Sequence, residues 1–417
     1  MRMNKKKEIV PKLRFPEFSK SHWGITRLNA LADKITERNK GDDTSRVFTN
    51  SATEGVVDQE EYFDRNIANK NNLTNYFVVE KGDYVYNPRI STTAPVGPIS
   101  KNKLGIGVMS PLYTVFRFRN KENDFYEHFF LTNLWHAYIK KLSNTGTRYD
   151  RITISVDNFM KMPLPYTSPD EQQKIADCLS SIDELIDAES RKLKVLEKYK
   201  KGLMQKLFPA EGKNIPEWRF PEFQGCGEWK YEEIGNIGEV ITGKTPSTSN
   251  AALWDGDIQF VTPTDITENK YQHHTQRTVV KTPKMKVLPK HTIMFTCIAS
   301  IGKMALSLYP CITNQQINSI IPKACYDNEF IYYSLLQKTP SIKSGFANST
   351  LPIINKTDFS EIQIPVILDK KEQQKIADCL SEIDTIITEQ SNKVEQLKIH
   401  KKGLMQGLFP SFEEVDV

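Results

Sequence analysis

The chain has few of the marks of an enzyme or a membrane protein. None of its six cysteines (Cys178, Cys226, Cys297, Cys311, Cys325, Cys379) stands at the CxxC spacing of a zinc or redox site. They read as reduced thiols without a disulfide framework. His273-His274 is the single adjacent histidine pair and has no further His or Cys at ligand spacing, so no metal is expected. There is no GxGxxG run; Gly238–Thr245 reads GEVITGKT and fits the GxxxxGK[ST] spacing, but Pro246 and the Ser/Thr/Asn run after it stand where a phosphate cradle would open a helix. Acidic pairs such as Glu60-Glu61 sit in charged surface runs and do not suggest acid–base catalysis. No stretch approaches the ~18 apolar residues of a membrane span. The basic start MRMNKKKEIV is not followed by an apolar run, so no signal peptide is expected and the location is read as cytoplasmic.

What is present is ordinary in bulk and unusual in order. The 417 residues give room for two or three domains, and 39% hydrophobic with 26% charged residues is a globular composition. The net charge of +5 permits a nucleic-acid partner without arguing for one. The order is a repeat. Glu171–Asp183 reads EQQKIADCLSSID and Glu372–Asp384 reads EQQKIADCLSEID; Lys200–Pro209 reads KKGLMQKLFP and Lys401–Pro410 reads KKGLMQGLFP. Both pairs stand 201 residues apart, so the whole segment recurs without a gap.

Each copy has the spacing of a long helix. Ile175, Leu179, Ile182, Ile186, Glu189, Leu193, Leu196, Lys200, Leu203 and Leu207 alternate steps of four and three, the seam of a coiled coil. Ile376, Leu380, Ile383, Ile387, Gln390, Val394, Leu397, Lys401, Leu404 and Leu408 repeat it. At ~1.5 Å per residue each helix spans roughly 55–60 Å. Acids crowd the first half of each helix and bases the second. Macrodipole compensation explains that skew in a single helix. It also means that a parallel pair would set acid on acid, whereas an antiparallel pair sets acid on base. An antiparallel coiled coil within the chain is therefore expected. The polar seam positions Glu189, Gln390, Lys200 and Lys401 either fix its register or mark where the helices splay; register is the favoured reading.

The repeat divides the chain into domain, helix, domain, helix. Arg14-Phe15-Pro16-Glu17-Phe18 opens the first domain and Arg219-Phe220-Pro221-Glu222-Phe223 the second, followed by Trp23 and Trp229. Ile154, Phe159 and Pro165 near the close of one domain match Ile354, Phe359 and Pro365 in the other. Between these ends the sequences diverge. Strands are expected over 76–80, 84–86 and 112–118, and in the second domain over 258–262, 292–296, 304–308 and 317–321. Helices are expected over 125–142, 232–240 and 329–337. The fold class is α+β: two mixed α/β domains separated by two long helices that pair antiparallel, with a pseudo-twofold. The bounds read 1–168, 169–209, 210–368 and 369–410, with a tail at 411–417.

This arrangement resembles the specificity (S) subunits of type I restriction–modification systems. The repeated EQQKIADCLSxID and KKGLMQxLFP carry the likeness. So does Ile241-Thr242-Gly243-Lys244-Thr245-Pro246, followed by Trp254-Asp255-Gly256-Asp257-Ile258 and Val261-Thr262-Pro263-Thr264-Asp265-Ile266, similar to the family's TGGTPS…W..GDI.W.TP.DI run. The first domain lacks that run and belongs to another subtype. The resemblance implies that each domain is a target recognition domain reading one half of a split, asymmetric double-stranded DNA target. It implies helices that set the gap and dock two modification (methyltransferase) subunits, with restriction (nuclease/translocase) subunits joining. S-adenosylmethionine would sit on the modification subunit, ATP and Mg on the restriction subunit, and no cofactor on this chain. A catalytic site is not expected: the nearest string to an adenine methyltransferase's N/D-P-P-aromatic motif is Asn87-Pro88-Arg89. An unrecognised methyltransferase, or a coiled-coil scaffold without DNA specificity, remains as an alternative.

Base reading needs Arg, Asn, Gln, Ser or Thr on loops of a rigid scaffold. The candidates in the first domain are Asn87, Arg89, Thr92, Thr93, Thr147, Arg148 and Tyr149, with Lys101 toward phosphate. In the second they are Lys244, Thr245, Ser300, Gln315, Gln316, Asn348 and Ser349. Each of these loops could equally be an ordinary turn bonded to its own backbone. Leu185 and Met204, off the seam, are candidates for partner contact or for packing on the domains.

Overall fold

A computed structural model describes residues 9–40, 44–63, 73–145, 150–283, 285–346 and 352–411, with residues 144–145 described by backbone alone. It divides into two compact units: 1–187 with 395–417, and 188–394. Each unit therefore holds one mixed domain, the first half of one long helix and the second half of the other.

The long helices run Pro169–Leu207 and Lys370–Leu408, 39 residues each. Both starts are capped at the same repeat position. The Ser168 hydroxyl accepts from the Glu171 N–H, and the Asp369 carboxylate accepts from Lys371 and Glu372. Phe208-Pro209 and Phe409-Pro410 follow the ends, and proline cannot continue the helical ladder. The pairing is antiparallel. In the second unit Lys393 and Gln390 meet Glu189, while Lys200 meets Asp384 at 2.5 Å. In the first unit Lys401 meets Asp183 at 2.5 and 2.6 Å. The acidic half of each helix thus faces the basic half of the other. None of the twenty seam positions is classed as exposed. Ile175, Leu179, Ile376, Leu380, Ile383 and Val394 are buried, whereas Leu185, off the seam, is 43% exposed. Met204 is buried among Trp229, Phe208 and Phe330 of the second domain.

In the first unit a four-stranded antiparallel sheet orders Ala32–Lys34, Thr114–Phe118, Tyr84–Tyr86 and Ile99–Lys101. Its aromatic face (Tyr84, Tyr86, Phe116, Phe118) packs on Phe125, Phe129 and Phe130. That cluster continues onto the long helices through Ile175, Leu179, Leu408 and Phe409. The helix expected over 125–142 is two helices, Asp124–Phe130 and His136–Leu142. The Thr132 hydroxyl takes the Phe129 carbonyl and the Trp135 indole takes that of Phe130, so side chains replace the helical bonds at the break.

In the second unit a five-stranded sheet orders Gly238–Thr242, Ile317–Pro322, Ile293–Thr296, Met304–Ser307 and Tyr271–Gln272. A second sheet pairs Trp254–Val261 with Arg277–Val279 and Cys311–Thr313. The helix expected over 232–240 is instead a strand Lys230–Glu233, one turn Ile234–Ile237 and the strand beginning at Gly238. Gly238 lies so close to the Ile321 carbonyl that a Cβ would sit 2.5 Å from it, and the sheet contact overrides the local helical spacing. The helix expected over 329–337 extends as Asn328–Phe346, through Pro340.

Each domain is clamped to its helix by a buried ion pair. The Arg14 guanidinium donates twice to Glu171, at 2.8 and 3.0 Å, and also to the Ser21 carbonyl. Trp23 Nε1 and the Thr167 hydroxyl donate to the same carboxylate. In the second unit Arg219 grips Glu372 at 2.7 and 2.6 Å. Glu171 and Glu372 are wholly buried. Burial opposes the charged form of Glu171, but the bonds from Arg14, Thr167 and Trp23 outweigh it and hold its pKa below the ordinary value. A second joint occupies equivalent places. His128 meets Ser180 at 3.1 Å and stands 3.9 Å from Asp183, beside Lys401. In the other unit Tyr333 donates to Asp384 and contacts Ser381, beside Lys200. Burial, then the Lys401 charge, push His128 down to about 4 against the pull of Asp183.

Two expectations follow. Arg14→Met leaves a buried carboxylate unpaired and should cost about 3 kcal/mol, read as a lowered denaturant midpoint. Replacing both partners (Arg14→Met with Glu171→Leu) should recover most of that loss. Because the Glu171 pKa is depressed on folding, its contribution is complete above the ordinary carboxylate range and fades as pH falls through the folded value. His128 is likewise depressed, from 6.5 to about 4. It therefore supports folding above pH ~6.5 and loses that contribution as pH falls toward 4. Stability measured from pH 7 to 4 should be less pH-dependent in His128→Gln.

Candidate nucleic-acid interface

Among the described residues the candidates of each domain, Lys101 apart, lie at one end of its main sheet. In the first unit, residues 87–94 follow the strand Tyr84–Tyr86. The Ile90 N–H donates to Asp150 and the Ile152 N–H to Pro88, so this segment lies against the one that follows residues 147–149. Thr147, Arg148 and Tyr149 themselves lie outside the described residues. Arg89 is exposed, its guanidinium 3.8 Å from the Asp150 carboxylate. Asn87 is half-buried and structural in its bonds: its amide donates to the Asn50 carbonyl and its oxygen accepts from the Arg89 N–H. Thr92 and Thr93 are exposed, and the Thr93 hydroxyl pairs with Ser91.

Lys101 is not part of this edge. It stands in register with Tyr84, at the far end of the strand pair, and its ammonium is held by Asp124 at 2.6 Å with the side chain 13% exposed. An ammonium so engaged is poorly placed to meet phosphate. Its neighbour Lys103 pairs with Glu127.

In the second unit the convergence is tighter. Thr242 pairs with Asn318, and Thr296 with Ile317, so two strand ends flank one strand start. Residues 243–245, 297–300 and 314–316 therefore meet. Gly243 makes that approach possible: a Cβ there would sit 2.1 Å from the Asn314 carbonyl and 2.3 Å from that of Thr313. The Gly243 N–H bonds to Ile317, and Cys297 N–H to Gln316. Thr245 donates to Gln315 at 2.5 Å, Asn314 and Gln316 bond each other, and Lys244 is exposed. Ser300 is half-buried, its carbonyl taken by Thr296. The Ala299 N–H and Cys297 carbonyl reach Pro352 and Ile354, so the segment that follows residues 348–349 also arrives here. Asn348 and Ser349 lie outside the described residues.

Beneath this edge lies Asn318, only 2% exposed, which sequence reasoning missed. It accepts from Thr242 at 2.7 Å and donates toward Cys297 and Ile354, tying three segments together. A polar residue inside the apolar strand INSII was its only signal. Arg14 and Glu171 were also missed as partners, although each lies in a repeated segment.

The chemistry available is hydrogen bonding from fixed polar groups. Among the described residues no group of three His, Cys, Asp or Glu could hold a metal, and His273 and His274 are exposed neighbours. No helix among them is long and apolar enough to cross a membrane.

Two mixed domains that offer polar loops at one sheet edge, each clamped to paired long helices, define a modular recognition protein. The chain belongs to the type I restriction modification DNA specificity domain family, whose pattern matches residues 23–198 and again 227–397. The MjaIX specificity subunit of Methanocaldococcus jannaschii is 34% identical over 194 residues, 45% of either chain, so the match spans under half of that relative's length. A putative MjaX specificity subunit of the same organism is 28% identical over 73% of this chain and 68% of its own. Among solved structures, the type I restriction–modification S subunit from M. genitalium aligns with a TM-score of 0.61 at 16% identity, over 97% of this chain and all of that one. A chain from a study of type I R-M complex assembly and conformational transition aligns at 0.57 and 16%, over 93% and 97%. At these identities the structural likeness speaks to the fold.

Gly243→Ala should force the 243–250 and 313–316 segments apart. The expected result is faster amide exchange over both segments, with the exchange of residues 9–145 unchanged.

Proposed function

We propose that this chain is the DNA specificity subunit of a type I restriction–modification complex. Each domain would read one half of a bipartite, asymmetric target in double-stranded DNA. The paired helices would set the gap and dock two modification subunits, and restriction subunits would join that assembly. The observation that carries this reading is the combination of two long helices that share their opening EQQKIADCLSxID and closing KKGLMQxLFP stretches with two domains whose polar edges are built from unlike loop sequences. A constant frame suits a constant partner, and divergent edges suit two different half-sites.

The chain would do no chemistry itself. S-adenosylmethionine would be held by the modification subunit, and ATP and Mg by the restriction subunit, with the complex assembled in the cytoplasm. The residues proposed toward DNA are Arg89, Thr92 and Thr93 with Thr147, Arg148 and Tyr149 in the first domain. In the second they are Lys244, Thr245, Ser300, Gln315 and Gln316 with Asn348 and Ser349. Base contacts from such groups specify, and lysines on phosphate position. A scaffold without DNA specificity would leave the two differing polar edges without a purpose.

The test alters the helix alone. Four residues inserted after Leu193, matched by four opposite in the second helix to keep the seam, should change the unread gap and leave both half-sites as they were. The readout is N6-methyladenine mapping of DNA from cells expressing the variant with its modification subunit. An unchanged gap in a complex that still methylates contradicts the proposal.

A further inference from the structure

The second domain's edge fixes one side chain in a way that dictates what it can read. Gln315 is exposed at the tip of the 314–316 turn. That turn is bonded on several sides: Asn314 N–H to Val261, Ile317 N–H to Asn314, Cys297 N–H to Gln316, and Gly243 N–H to Ile317. The Asn314 and Gln316 side chains close it from within. Gly243 has no room for a Cβ against it, and Asn318 pins the strands below. The turn is thus preorganised, which is what a reading group needs.

The orientation of the Gln315 amide is set by a neighbour. The Thr245 hydroxyl donates to its Oε1 at 2.5 Å. A glutamine that reads adenine bidentately uses its carbonyl to accept from N6 and its NH2 to donate to N7. Here the carbonyl is engaged by Thr245, whereas the NH2 of this exposed side chain has no hydrogen-bond partner among the described residues and keeps both donors for a ligand. Two N–H donors match the two acceptors, N7 and O6, on the major-groove edge of guanine.

We propose that Gln315, oriented by Thr245, is a specificity-determining residue of the second domain and reads guanine as a donor. The inference rests on the DNA-reading role proposed above. Thr245 acts through Gln315 and is a positioning residue.

The test is methylation mapping of three chains, each expressed with the modification subunit in a host without adenine methylation: unmodified, Gln315→Glu and Thr245→Val. Gln315→Glu keeps the shape and the bond from Thr245 but replaces the free donors by an acceptor. It should lower methylation at targets bearing guanine at one position of one half-site by about 10- to 100-fold, the discrimination a bidentate base contact supplies. Thr245→Val frees the carbonyl and should admit adenine at that same position. Both variants keep the other half-site unchanged. The proposal is overturned if both variants methylate the unmodified chain's target with its original stringency. It is equally overturned if methylation falls uniformly at all targets with the motif intact, since Gln315 would then be only a brace for the loop. If the unmodified chain directs no motif, the DNA-reading role itself fails, a result distinct from either.

Discussion

Everything variable in this protein hangs from a buried ion pair. A carboxylate fully withdrawn from water is tolerable only when a charge and hydrogen bonds replace the solvent it lost. Glu171 gets both from Arg14, Trp23 and Thr167, and Glu372 gets them from Arg219. In each case the carboxylate belongs to the repeated helix and the arginine to the repeated opening of the domain. The sequence between can change freely because the clamp does not draw on it. The two clamps are not identical: Trp23 donates to Glu171, whereas the buried Trp229 Nε1 has no hydrogen-bond partner among the described residues. The remaining guanidinium donors are used alike, Arg14 on the Ser19 and Ser21 carbonyls and Arg219 on those of Cys226 and Gly227.

The same economy governs the helices. Asp183 and Asp384 are one repeat position, as are Lys200 and Lys401, and each lysine meets the aspartate of the other helix. Glu189 and Gln390 are also one position, and they meet each other. The polar interruptions of the apolar seam are therefore the places where the two helices bond across. What differs is the domain side chain that reaches this joint, His128 in one unit and Tyr333 in the other. Burial and Asp384 hold the Tyr333 phenol far above its ordinary value, so it carries no charge change where His128 does.

The helices and their antiparallel pairing were legible because a four-three spacing and a skewed charge pattern are one-dimensional signals. The domains were less so. Ile234, Ile237 and Ile241 have helical spacing, yet Gly238 is pressed on a neighbouring strand 83 residues away, a contact no local window contains. The break after Phe130 depends on which way the Thr132 and Trp135 side chains turn. Loop composition pointed to residues 87–93, 243–245, 300 and 314–316, and the sheet register shows which of them share an edge. Lys101 looked free only because its partner Asp124 arrives by the fold. Asn318, beneath the second domain's edge, was marked only by being polar inside the apolar strand INSII.

The central claim is that two unlike edges on one constant frame read two unlike half-sites. The most direct measurement is to express the unmodified chain with its modification subunit in a methylation-free host and locate every N6-methyladenine. The account predicts one split, asymmetric motif, methylated in both halves across a fixed unread gap. A stable complex that methylates no defined motif would contradict it, and the paired helices would then serve a scaffold that directs nothing.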